Sequence, residues 1–168
     1  DTHGVGTLDA IIFRYAEVLL IRAEAGAELG KDPELDLTVN ALRKRVGFNV
    51  KLTSSPATDP KLVAKHPIIK GTNADLIREI RRERRVELFG EGLRYADLMR
   101  WGCGERLVAP KAGMMLYTDV YTPEEIAVLK TEVGTYADGS LDVYGKRVTT
   151  PAIFESPKHY LFSLPLNE

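Results

Sequence analysis

The chain has 168 residues, 44% of them hydrophobic and 28% charged, with 23 Lys and Arg against 24 Asp and Glu, a net charge of −1. That composition belongs to an ordinary folded protein of one domain or part of one, not to a disordered or membrane-spanning chain. Near-zero net charge gives no global field to draw nucleic acid or an anionic membrane, and the single cysteine, Cys103, excludes an internal disulfide.

Residues 1–7, DTHGVGT, read as a lead-in, since GVG without a preceding strand is no dinucleotide loop. From Leu8 to Leu29, apolar or small residues recur at Ile12, Tyr15, Ala16, Leu19, Ala23 and Ala27, and the run Val18 to Ile21 wraps the helix, predicting burial on more than one side. Ala23, Gly26 and Ala27 leave room for another helix, and Gly30 is a natural stop. Asp32 and Pro33 predict a cap and first position for a second helix through Leu35, Val39, Leu42 and Val46, ending at Gly47. The short turn between the two predicts a helical hairpin over residues 8–47.

Residues 48–72 carry Pro56, Pro60 and Pro67 without a clear period and predict a long loop. Asn73 is the expected cap of a long third helix over residues 73–101, with a bend or break near Gly90 and Gly92. That segment sorts its charges by sign. Glu79, Glu83, Glu87 and Glu91 follow at four-residue steps, and Arg78 with Arg82 and Arg81 with Arg85 do the same in the opposite sign. Like charges so spaced cost an isolated helix about 0.2–0.5 kcal/mol per pair. Each row therefore needs opposite charge from a neighbouring element, and Arg14, Glu17, Arg22, Glu24, Arg43 and Arg45 are the candidates. Residues 102–168 read as irregular, with a capping box at Thr122-Pro123-Glu124-Glu125 opening a short helix to about Glu132, a turn at Asp138-Gly139, and short strands or extended segments at 141–149 and 159–164. The fold class is mainly α.

Motifs for chemistry are absent. His3, His66 and His159 lie far apart with no ligand-like spacing to Cys103 or to acids, so neither a metal nor another cofactor is expected. No serine sits in a nucleophile elbow, and Glu83 with Glu87 reads as part of an ion-pair network rather than an acid and base. The glutamates among Arg81, Arg82, Arg84 and Arg85 would repel the phosphates those arginines attract, so nucleic acid is not an expected partner. Tyr117, Tyr121 and Tyr136, on the less regular part, are candidate ligand-binding residues, because aromatic faces stack on the apolar patches of sugar rings.

Three blocks resemble the SusD/RagB family of nutrient-binding outer-membrane lipoproteins. RYAEVLLIRAEA from Arg14 to Ala25 is similar to that family's RYAEVLL..AEA helix, NALRKRVG from Asn40 to its N.VR.RAG segment, and residues 80–102 to its I..ERRIELAFEG.R..DL.RWG block. A weaker fourth match is YLFSLPLNE from Tyr160. Phe89-Gly90 in place of Ala-Phe, Leu93 in place of a polar residue and Val46 in place of Ala mark a divergent member. The resemblance implies a C-terminal part of a larger domain built on tetratricopeptide-like helix pairs. It further implies tethering by an N-terminal lipidated cysteine outside this chain, an outward-facing place at the outer membrane, and non-catalytic capture of a glycan or other nutrient for a SusC-like TonB-dependent transporter. Glu17, Glu24, Arg84, Glu87, Glu91, Arg94 and Asp97 are then the scaffold's ion-pair network, with loss of Arg94 expected to strand an acidic partner. A chain complete as it stands would instead read as a free-standing helical-repeat adaptor for a protein or peptide. A carbohydrate-active enzyme would need a paired-carboxylate cleft, which the sequence does not offer.

Overall fold

The computed structural model describes residues 12–108, 113–136, 139–142 and 152–161, and the chain divides into two units, Asp1–Cys103 and Gly104–Glu168. The fold is mainly α. The first unit holds α1 (Tyr15–Glu28), α2 (Val39–Arg45), α3 (Pro60–Lys65), α4 (Ala74–Glu87) and α5 (Arg94–Arg100); the second holds α6 (Pro123–Val133).

Helix α1 packs mainly on α4 and also on α2, around a core in which Leu20, Ala23, Val39 and Ile80 are wholly buried beside Leu19, Ala27, Leu42, Leu76, Ile77 and Leu88. Each fully buried Leu or Ile contributes about 1.5–3 kcal/mol of transfer free energy. The helix ends where predicted, with Gly30 at φ +66° and the Lys31 N–H returning to the Gly26 carbonyl at 2.9 Å. Gly26 itself admits the connecting chain rather than another helix: a Cβ there would lie 2.9 Å from Pro33 Cα.

Three local expectations change. The second helix does not start at Asp32-Pro33; the Asp32 carboxylate accepts the Glu34 N–H at 2.8 Å, Glu34 turns left-handed at φ +50°, and helix geometry begins only at Val39. The loop expected over residues 48–72 contains α3, opened by Pro60 at its first position and by the Asp59 carboxylate accepting the Lys61 N–H at 2.8 Å. The break expected near Gly90 and Gly92 is present: both adopt the left-handed conformation, at φ +82° and +78°, and divide the third segment into α4 and α5. Asn73 stands at the start of α4, but its side chain donates to the Ala27 carbonyl at 3.0 Å, tying that helix to the end of α1 instead of capping it.

In the second unit, the Thr122–Glu125 capping box opens α6, which ends at Gly134. Past it the chain turns back so that Thr135 and Leu141 form an isolated antiparallel bridge, with Gly139 at φ +84° in the turn; Asp138 lies outside the described residues. The expected strands do not form among the described residues: Lys158–Tyr160 is a 3-10 turn, while 143–149 and 162–164 lie outside them.

One face of α1 remains apolar and open to solvent: Tyr15, Val18, Ile21, Ala25 and Leu29 fall within about 120° of helical arc and all are exposed. Monomeric proteins seldom expose so continuous an apolar stripe. The isolated chain should therefore bind a hydrophobicity-reporting dye and self-associate on sedimentation, and Val18→Lys with Ile21→Glu should abolish both; dye binding unchanged by that pair of substitutions would show that the stripe is not the adhesive surface.

Candidate functional site

The charge rows of α4 meet complementary charge on two neighbours. From the acidic row, Glu83 accepts Arg43 Nη2 at 2.5 Å, and Glu87 accepts Arg14 Nη1 and Arg45 Nη2, both at 2.6 Å. Glu91, beyond the helix, accepts Arg14 Nε at 2.8 Å, while Glu79 pairs within the helix with Arg82 at 2.6 Å. Of the basic row only Arg81 faces α1, its Nε donating to Glu24 at 3.0 Å and its Nη2 to Glu28 at 3.0 Å, beside Arg84 Nη2, which donates to Glu17 at 3.3 Å. Against expectation, Arg78 pairs with Asp75 and Arg82 with Glu79 inside α4, and Arg82 and Arg85 are exposed. Of the six partners nominated from sequence, only Arg22 goes elsewhere, to Glu34 in the connection after α1.

The seven nominated network residues fall into two groups. In the first, Asp97 on α5 receives Arg84 Nε at 2.9 Å on each oxygen and Arg100 Nε at 3.0 Å. Arg100 then donates to both oxygens of Glu24, at 3.1 and 2.7 Å, and the Trp101 indole N–H donates to Glu24 at 2.6 Å. The guanidiniums of Arg81 and Arg100 each lie 4.7 Å from the Trp101 ring centre, and that of Arg94 lies 5.4 Å from it. Glu17, Glu24, Arg84, Arg94 and Asp97 are thus joined through Arg100 and Trp101. In the second group Arg14 bridges Glu87 and Glu91, and also donates to the Glu87 carbonyl. Arg100 and Trp101 were not nominated for this assembly, and Arg81 only as a basic-row residue in need of an acidic partner, a need that Glu24 meets; the four-residue step Ile77, Arg81 sets Arg81 on the core-facing stripe.

Electrostatics follow the geometry. Burial pushes the Glu24 carboxyl up, but Arg100, Arg81 and the Trp101 N–H together outweigh it and hold Glu24 below the usual carboxylate range. Glu79 moves the other way: burial dominates, Arg82 only partly offsets it, and its carboxyl titrates above that range. The hydrogen bonds Arg14 donates to Glu91 and then to Glu87 raise it, so it stays charged. Every carboxylate of the first group is thus occupied by guanidinium, a holding arrangement rather than an acid and base. Beside it His66 Nδ1 lies 3.6 Å from Cys103 Sγ, both buried, with the imidazole edge-on to Trp101. Among the described residues no three metal-ligating side chains converge.

The nominated tyrosines belong to the second unit. Tyr117 and Tyr121 share a turn, the Tyr121 N–H reaching the Tyr117 carbonyl at 3.0 Å, and Tyr121 lines an open hollow of about 430 Å³ with Glu124, Glu125, Val128 and Leu129. Tyr136 stands beyond the other end of α6, whose 11 residues span about 16 Å, so it does not share that hollow.

The model of the SusD family matches residues 1–165. A SusD-like protein of Formosa agariphila is 36% identical over 104 residues, a stretch covering 62% of this chain and 19% of that relative. The chain thus spans about a fifth of the length of the curated relative it matches. No solved structure matches it.

Removing one member of a buried ion pair leaves the other uncompensated, at a cost of about 3–5 kcal/mol. Glu24→Gln should lower unfolding free energy by about that much in urea titrations at pH 7, and Glu79→Gln by much less. Because Glu24 is depressed in the folded state, its contribution is complete above the unfolded value of about pH 4.3 and is lost as pH falls through the lower folded value. The wild-type stability curve should fall across that acid range, and the Glu24→Gln curve should fall less. Arg94→Ala should cost about 1 kcal/mol or more through the lost contact with Trp101; an unchanged melting temperature would remove Arg94 from the assembly.

Proposed function

This chain belongs to the SusD family, and from that premise we propose that it forms the helical support of a non-catalytic nutrient-capture protein at the bacterial outer membrane. In this reading the protein binds an oligosaccharide and passes it to a SusC-like TonB-dependent transporter, and its hold on the membrane is an N-terminal lipid anchor. Among the described residues no helix is long and apolar enough to cross a membrane.

The observation that carries the reading is the family match over residues 1–165. The spent carboxylates of α1, α4 and α5 support a holding role, because a general acid or base must be within reach of substrate and available to exchange a proton. Tyr117 and Tyr121 are the ligand contacts we propose on this chain. Tyr117 is largely exposed, and Tyr121 borders a hollow carrying the exposed Glu124, which supplies a ring face beside an acceptor for sugar hydroxyls.

The test is a printed panel of neutral and acidic hexasaccharides probed with the full-length protein. Saturable binding without release of shorter products is expected, and Tyr121→Ala should weaken it about tenfold in calorimetry. Turnover of any panel member would show an enzyme, and wild-type affinity in Tyr117→Ala/Tyr121→Ala would place the contacts away from these rings.

A further inference from the structure

The segment after α2 carries features that the scaffold does not use. Residues 48–52 run back along that helix, held by side chains at alternate positions. The Phe48 N–H returns to the Arg43 carbonyl at 2.9 Å, and Arg43 Nη1 donates to the Val50 carbonyl at 2.9 Å. Asn40 grips Leu52 twice, accepting its N–H at 2.8 Å and donating to its carbonyl at 3.1 Å. Arg43 is itself buried and anchored on Glu83 of α4. The wall so formed is fixed without a backbone ladder, and between it and α2 lies a hollow of about 550 Å³. A second hollow, of about 530 Å³, adjoins it, and the two share Asp36, Asn40 and Lys51.

Two elements on the rim of the first hollow are arranged for recognition. Phe48 is half exposed, and its ring is pinned by the Arg43 guanidinium 5.3 Å from its centre instead of turning into the core. Across from it, Asp36 Oδ1 takes both available internal donors, Lys51 Nζ at 2.9 Å and Asn40 Nδ2 at 3.1 Å. Asp36 Oδ2 accepts no hydrogen bond from the described residues, and the Lys51 ammonium has further protons to give. So exposed an ion pair adds little to stability. What it does present, side by side, is one strong acceptor and one strong donor.

We propose that this hollow is a saccharide subsite. One sugar ring stacks its apolar face on Phe48, and a vicinal diol bridges the Asp36–Lys51 pair, one hydroxyl donating to Asp36 Oδ2 and its neighbour accepting from Lys51 Nζ. A diol matches the pair because adjacent hydroxyls offer a donor and an acceptor at the spacing of the two charged groups. The second hollow beyond the pair gives the chain of sugars room to continue. Its lining shares no residue with the hollow at Tyr121, and it rests on the glycan-capture reading above.

The experiment uses the full-length protein and the same hexasaccharide panel, with the strongest binder titrated by calorimetry. Phe48→Ala and Asp36→Asn should each weaken binding about tenfold and Phe48→Trp should preserve it; Asp36→Asn and Phe48→Trp should melt with the wild type, and Phe48→Ala only slightly below it through the lost contact with Arg43. Wild-type affinity in both Phe48→Ala and Asp36→Asn, while the wild type binds the panel, overturns the subsite and leaves the capture reading standing. A wild type that binds no panel member overturns both.

Discussion

The structure depends on Glu24, a carboxylate taken almost wholly out of water in the middle of α1. Burying one unpaired ion costs several kcal/mol, so its position is tolerable only where donors converge. Arg81 comes from α4, Arg100 and the Trp101 indole from α5 and its end. One oxygen pair thereby fixes three elements relative to one another, and the hydrophobic core of Leu20, Ala23 and Ile80 fills the space beside it. Apolar burial supplies most of the driving force, while the charged centre specifies which faces meet. Register is the role for which buried ionic groups are best attested.

The same logic explains why α4 carries charges that would repel along an isolated helix. Glu83 and Glu87 point to Arg43, Arg45 and Arg14, and Arg81 and Arg84 to Glu17, Glu24 and Glu28. A helix lying between two neighbours of opposite sign cannot rotate by half a turn without placing like charge against like on both sides. The sign pattern thus acts against misdocking as well as for docking.

Much of this was legible in the sequence, because charge sorting and helical period are both local patterns. The partners of the third segment, the stop at Gly30 and the capping box at Thr122 could all be read directly. The dipeptide Asp-Pro shows where such reading ends. At Asp59-Pro60 it opens α3, and at Asp32-Pro33 it only makes a turn, since Gly26 draws that connection onto α1 and Glu34 adopts a positive φ. The same two residues serve either purpose, and the packing of a distant element decides between them. Trp101 was likewise visible only as an apolar residue closing a stripe; two of the guanidiniums over its ring, those of Arg94 and Arg100, come from α5 itself, but the third, Arg81, needs the approach of α4, fixed by contacts far apart in sequence. For the candidate ligand contacts the sequence offered aromatic type but not placement, and so grouped Tyr136 with tyrosines that lie beyond the other end of α6.

The central claim is that the charges α4 buries against its neighbours are mutual fastenings between helices and not solvated surface. A double-mutant cycle on Glu24→Gln and Arg81→Met, read by urea unfolding at pH 7, measures that fastening directly. The account predicts a coupling of about 1–3 kcal/mol, the double substitution costing less than its two parts combined. Additivity within about 0.5 kcal/mol would contradict it, because two groups that do not depend on each other hold nothing together.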